Sequence, residues 1–289
     1  MTSHAARPHW DDGEAYVRLA GLASHAAAEI LDRGLPDDPS PVARYIAREA
    51  AACLAHHRAS RDRSPELAGV RRALDVLREG WEALASGAVT GEELYEAGNG
   101  VWHGLMTGWP MSGYAARLAD AVVPLLEPGD VVVEVGAGVG ATTRALRSRL
   151  GLRASIRVMA TDIAYEGRRH QDVTEPFTDH LIGADAVVAT NVLHCVEDRD
   201  AALAHMVAAV RPGGMVAISE GAPETGGGAP WALNLLFGPL RGWHDRGGFV
   251  TAGTWDASCA RAGLECVVHQ PWRSGDRTFG GTWLGRRPK

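Results

Sequence analysis

Lysine is almost missing from this chain of 289 residues: of 29 Lys and Arg, Lys289 is the only lysine. The formal net charge is only −6, with acids and bases interspersed. No cationic run is present to follow a nucleic-acid backbone or an anionic membrane, so neither is expected as a partner. Four cysteines, Cys53, Cys195, Cys259 and Cys266, form no CxxC pair and no metal-ligand spacing. Neither a disulfide framework nor a metal site is expected, and the thiols read as reduced. No uninterrupted apolar run is long enough to span a bilayer. The opening "MTSHAARPHWDDGE" lacks the apolar stretch of a secretory leader, which sets the expectation of a cytoplasmic location.

What the chain does have is apolar mass. At 46% hydrophobic residues it can fill one large core or two smaller ones. Its two halves follow different patterns. Up to about residue 126, apolar residues recur at three- and four-residue spacing, predicting helices over 13–34, 41–57, 64–87, 90–108 and 112–129. Gly34 and Gly87 mark two of the ends, and glycines weaken the fourth helix. From Asp130, short β-branched runs alternate with helical stretches: "VVVEV" (131–135), "IRVMAT" (156–161), "DAVVAT" (185–190) and "MVAISE" (215–220). Continuous apolar strands of this kind belong to a parallel sheet covered by helices on both faces. Two later runs, "ECVVHQ" and "TFGGTWLG", lack a helix between them and suit a hairpin at a sheet edge. The expected fold class is α/β, with an α-helical amino-terminal domain over 1–126 and a doubly wound domain over 127–289.

The turn "VVVEVGAGVGATT" sets Gly136, Gly138 and Gly140 between the first strand and a helix. Glycine there permits a sharp turn and close approach of a ligand to the backbone. A dinucleotide fingerprint reads GxGxxG; this turn reads GxGxG, with Glu134 two residues before the first glycine. That acid would repel a pyrophosphate but would accept bonds from a ligand carrying an amino group and a positive charge. S-adenosylmethionine (SAM) has both, so SAM is favoured over NAD. Asp162, in "TDI", sits where a carboxylate can hold two ribose hydroxyls, and Asp172, in "QDV", where one can meet the adenine amino group.

Taken together, "EVGAGVGATT", "TDI", "TNVLHCVED", "RPGGMVAISE", "LLFGPLRGWHDRGG" and "TAGTWDASCARAGLE" resemble a class I SAM-dependent methyltransferase. More narrowly, they resemble the C-methyltransferase domains of polyketide synthases. The resemblance implies a Rossmann-like sheet in 3-2-1-4-5-7-6 order. It also puts Ala137, Thr143, Ile163 and Val173 in the cofactor site beside Glu134, the three glycines, Asp162 and Asp172. Two departures stand out. Only nine residues separate Asp162 from Asp172, where the family has a longer stretch with a helix. His244 replaces the second aromatic of a "GWW"-type motif.

His194 follows the "DAVVATNV" strand and Glu220 ends the "MVAISE" strand. In adjacent parallel strands about 4.8 Å apart, both would emerge at the carboxyl edge, where doubly wound sheets bind ligands. The carboxylate would then fix the imidazole tautomer and raise its basicity. The resemblance gives this pair the role of catalytic dyad; a core or capping histidine is the alternative. Asn191 is read either as lining the methionine end of SAM or as a polar strand cap. Cys195 is read as a small packing residue that points elsewhere.

Trp231, Trp243 and His244 fall in a glycine-flanked insertion after the fifth strand. Such a segment either closes over an acceptor or packs as an aromatic core against the helical half. Tyr95, Trp102, His103, Trp109 and Tyr114 are candidates for a second wall, with His103 and Tyr114 taken as substrate residues. The combined expectation is C-methylation of an activated carbon in a polyketide-like β-ketoacyl thioester, on a carrier protein or coenzyme A. O-methylation of a phenol or enol would use the same base, and helical amino-terminal domains accompany such enzymes and build homodimers. A SAM-fold cyclase or binding protein that no longer methylates is the rival of another class.

Overall fold

The computed structural model describes residues 12–98, 100–151, 155–163, 167–222, 232–240, 243, 250–274 and 277–289. Two compact units emerge. The first is helical and runs to Trp109. It contains α1 (Asp12–Arg33), α2 (Pro41–His56), α3 (Ala68–Glu79), α4 (Trp81–Ala85), α5 (Gly91–Ala97) and α6 (Val101–Thr107). Ser40 caps α2 by accepting from the Ala43 amide. Thr90 and Glu93 cap α5 reciprocally, which satisfies two amide donors at the helix start.

The predicted third and fourth helices are each divided. Gly80, between α3 and α4, lies so close to Leu94 that a β-carbon would overlap its side chain. Gly100, before α6, holds a left-handed φ of 76°, which ends helical continuity there. A short helix over Leu233–Phe237 groups with this unit rather than with the sheet.

The second unit is a seven-stranded sheet with helices on both faces. Its strands are β1 (Val131–Val135), β2 (Arg157–Asp162), β3 (Arg169–His170), β4 (Ala184–Thr190), β5 (Val210–Gly221), β6 (Glu265–Ser274) and β7 (Arg277–Arg286). Their order is β3-β2-β1-β4-β5-β7-β6. The first five strands pair in parallel, and β7 runs antiparallel to β5. This is the Rossmann-like methyltransferase arrangement, with the two late strands at one edge as their sequence predicts.

Alternation along the strands explains both cores. Val133, Val135, Val187, Ala189, Val216 and Ile218 enter one cluster, with Leu203 and Met206 of α9 (Arg199–Ala209). Val132, Ala186, Val188, Met215 and Ala217 enter the other. They meet Leu118, Ala119 and Val122 of α7 (Met111–Val122) and Leu146 and Leu150 of α8 (Ala141–Leu150). Because α7 buries its apolar face on the sheet, the boundary between units falls at Trp109/Pro110, not near residue 126.

Candidate active site

All three glycines of the turn after β1 have positive φ, from 44° at Gly138 to 80° at Gly140. Gly136 is the most constrained, since a β-carbon there would run into the Val192 side chain. The turn is tied to β2 by two bonds. The Ala137 amide donates to the Thr161 carbonyl, and the Gly138 amide donates to Asp162 Oδ2 over 2.8 Å. Ile163, the next residue, is 55% exposed, an apolar side chain left at the sheet edge.

On β1, alternation turns Glu134 toward the α8 face. Thr143, in the first turn of α8, donates to Glu134 Oε2, and both residues are buried. Thr143 therefore orients the acid. Burial raises the Glu134 pKa to about 7, against the lowering influence of Thr143, Arg168 and Arg147. A buried carboxylate this costly to ionise is suited to a cationic ligand, whose charge would restore it. Sequence reasoning missed Arg168, whose guanidinium donates to the Gly138 carbonyl over 3.4 Å. Its signal is faint because the short β3 that carries the chain past it has no recognisable strand pattern.

Asp172 and Val173 sit differently from expectation. Asp172 Oδ1 accepts from the Thr174 amide and hydroxyl, making a local turn. Val173 is buried with Phe177 and Leu181 in the hydrophobic core. Among the described residues between Asp162 and Asp172 the only regular element is β3.

At the carboxyl ends of β4 and β5 the expected pair is assembled. Thr190 registers with Ser219, so the 3₁₀ turn after β4 that carries His194 comes beside Glu220 at the end of β5. His194 Nδ1 lies 2.8 Å from Glu220 Oε2. Glu220 is fully buried, and its Oε1 accepts from the amides of Val192 and Leu193 at 2.9 and 2.8 Å. Three bonds thus fix the carboxylate, and the carboxylate fixes the ring. Burial disfavours the imidazolium, but the Cys195 sulfur and Glu220 outweigh it, and the His194 pKa rises to about 10.

Cys195 corrects the sequence reading. It is exposed, and its Sγ is 3.2 Å from His194 Nε2. Asn191 is the one non-glycine with positive φ among the described residues, at 52°. Its Oδ1 accepts from the Gly221 amide and its Nδ2 faces Met111 Sδ at 3.6 Å. Asn is one of the few non-glycine residues that adopt this left-handed conformation readily, and its side chain ties the end of β4 to the end of β5.

The remaining aromatic candidates separate by unit. Tyr114 is fully buried; its hydroxyl donates to the Phe279 carbonyl and its ring meets Trp272 edge-on at 4.7 Å. In the helical unit, Trp243 packs on Phe237 at 5.0 Å, Tyr95 donates to the Leu236 carbonyl, and Trp109 is buried. Each of these contacts lies within its own unit. His103 and Trp102 lie on α6. Trp231 and His244 lie outside the described residues.

Residues 133–216 match the family described as methyltransferase domain. Together with the sheet order and the glycine turn, this makes the second unit a class I SAM-dependent methyltransferase domain. Within that class the chain resembles the C-methyltransferase domains of polyketide synthases. It is 34% identical over 231 residues to polyketide synthase ThaQ of Burkholderia thailandensis, an alignment covering 71% of this chain and 10% of that protein. The chain therefore spans about a tenth of that relative's length. Two solved structures share its fold. One is the trans-methyltransferase CalH complex with SAH, with TM-score 0.75, 15% identity, and 97% of this chain and 93% of that one covered. The other is the C-methyltransferase domain of the citrinin polyketide synthase, with TM-score 0.72, 15% identity and coverage of 96% and 91%.

Proposed function

We propose that this protein transfers a methyl group from SAM to an activated carbon of a small secondary metabolite, a β-ketoacyl thioester or a close analogue. The observation that carries this reading is the His194–Glu220 pair, a base oriented by a fixed carboxylate at the carboxyl edge of β4 and β5. When bound, SAM supplies a methyl group on a cationic sulfur that needs no further activation. The residues suited to hold it are Glu134, oriented by Thr143, the backbone of Gly136–Gly140, and Asp162 with Ile163.

The remaining work is deprotonation. Carbon between a ketone and a thioester is acidic enough to yield its proton to an imidazole. His194 Nε2 takes that proton while Nδ1 stays bonded to Glu220, which stabilises the imidazolium formed. Asn191 helps hold the enolate oxygen or the cofactor's methionine end. The acceptor is carried on a protein- or coenzyme A-bound arm.

The test is a reaction of SAM labelled at its methyl carbon with acetoacetyl-coenzyme A and related β-ketoacyl thioesters, followed by carbon NMR. A new upfield, carbon-bound methyl resonance that disappears in His194→Ala is expected. A methoxy resonance with phenolic or enolic acceptors would instead assign the same residues to O-methylation. Binding of S-adenosylhomocysteine with no transfer to any acceptor would reject methylation.

A further inference from the structure

Of the described cysteines, Cys53 and Cys259 are buried and Cys195 is exposed. Burial pushes both buried thiols up, Cys259 to about 12, which keeps them inert. Cys195 stands in a different setting. Its sulfur is 3.2 Å from His194 Nε2, His194 Nδ1 is 2.8 Å from Glu220 Oε2, and Glu220 is anchored by two backbone amides. An accessible sulfur, a base within reach of its proton, and a third group that orients the base are the parts of an activated nucleophile. The 3₁₀ turn over Leu193–Cys195 puts sulfur and base on consecutive residues, so their separation depends on little beyond that turn.

We propose that Cys195 is a reactive thiol that takes soft electrophiles, hydroperoxides in particular, with His194 as its base and Glu220 as the orienting group. With hydrogen peroxide, the sulfur attacks one oxygen: an S–O bond forms and the O–O bond breaks. His194, held protonated beside Glu220, gives the Nε2 proton to the departing hydroxide, which leaves as water, and takes the thiol proton in its place. Sulfur loses two electrons, the peroxide gains two, and Cys195 becomes a sulfenic acid. A low-molecular-weight thiol then condenses with it to a mixed disulfide and water. A second such thiol frees Cys195 and leaves as the small-molecule disulfide. On the methyl-transfer reading above, Nε2 is also the nitrogen that takes the acceptor's proton, so a modified sulfur at 3.2 Å blocks the base, and thiols restore it.

The full chain treated with iodoacetamide at neutral pH tests this, with each cysteine's alkylation followed by peptide mass spectrometry. Cys195 is expected to react at least about tenfold faster than Cys53 and Cys259, and about tenfold slower in His194→Gln than in the native protein. Continued protection of Cys53 and Cys259 reports that the variant is folded; if they open, Glu220→Gln serves in its place. Equal rates at Cys195 in native protein and a folded variant would mean that exposure alone governs it, and would overturn the proposal. In parallel, peroxide followed by dimedone should leave an adduct on Cys195 of the native protein, and its absence would equally overturn the proposal. Neither readout involves methyl transfer, so failure here is separable from failure of the proposed function.

Discussion

The hydroxyl of Thr143, in the first turn of α8, donates to Glu134 Oε2 on β1 over 2.5 Å, and neither residue is more than 3% exposed. One neutral hydrogen bond does not compensate a buried carboxylate, which is why the Glu134 pKa rises from 4.5 to about 7. A folded-state pKa above the unfolded value means that the native state binds the extra proton. Stability from this group is thus greatest below the unfolded pKa and declines as pH rises toward 7. Between pH 5 and pH 8 the native protein should lose about 2–3 kcal/mol relative to Glu134→Gln, measured by denaturant unfolding. A pH-independent difference would contradict the assignment. Binding of S-adenosylhomocysteine, by calorimetry, should tighten with pH over the same range in the native protein and not in the variant.

The His194–Glu220 pair has the same sign but a more alkaline window. Its imidazole pKa is raised from 6.5 to about 10, so its stabilisation is complete below the unfolded pKa and is lost as pH climbs through the folded one. Catalysis needs the neutral ring, so the rate should rise with pH across the alkaline range. Glu220→Gln should move the inflection down by removing the negative charge, and should lower turnover. His194→Ala should lower turnover by about 100-fold or more. A pH–rate profile of the native enzyme that is flat above neutrality would sink the general-base role.

Most of the sheet was legible because its central strands β1, β4 and β5 are buried on both faces and announce themselves as apolar runs. Glu134, Asp162, His194 and Glu220 were legible because strand ends and glycine turns have fixed places in a doubly wound sheet. Other features depend on three-dimensional neighbours. Nothing local distinguishes α7 from the preceding helices, yet it packs on the sheet. The resemblance puts Val173 in the cofactor site, and the fold buries its side chain with Phe177 and Leu181. Cys195 reads as filler because a sequence does not say which way a 3₁₀ turn will direct a side chain.

Gly136 combines a φ of 61° with a Val192 side chain where a β-carbon would stand. Gly136→Ala should destabilise the protein by more than the ~1–2 kcal/mol of left-handed backbone alone, because Val192 must also move. The shift would propagate to the turn carrying His194. Thermal unfolding and S-adenosylhomocysteine affinity should both worsen. Gly138→Ala has no comparable neighbour and should cost only the backbone strain. Equal losses at the two positions would mean that Val192 does not set the limit.

Tyr114 decides between a packing role and an acceptor-facing one. Its hydroxyl donates to the Phe279 carbonyl over 2.5 Å, linking α7 to β7, and burial followed by the Glu220 charge pushes its phenol well above the ordinary range. Tyr114→Phe keeps the edge-on contact with Trp272 and leaves that carbonyl with only the longer bond from the Ala222 amide, at 3.4 Å. Loss of that one bond costs about 1 kcal/mol, which for a chain of this size lowers Tm by about 2–4 °C. On the packing role, the melting temperature falls and the KM for the acceptor stays where it was. On the acceptor-facing role, KM rises while the melting temperature holds, because the hydroxyl would then be spent on the ligand rather than on the fold. The short bond to Phe279 favours the first outcome.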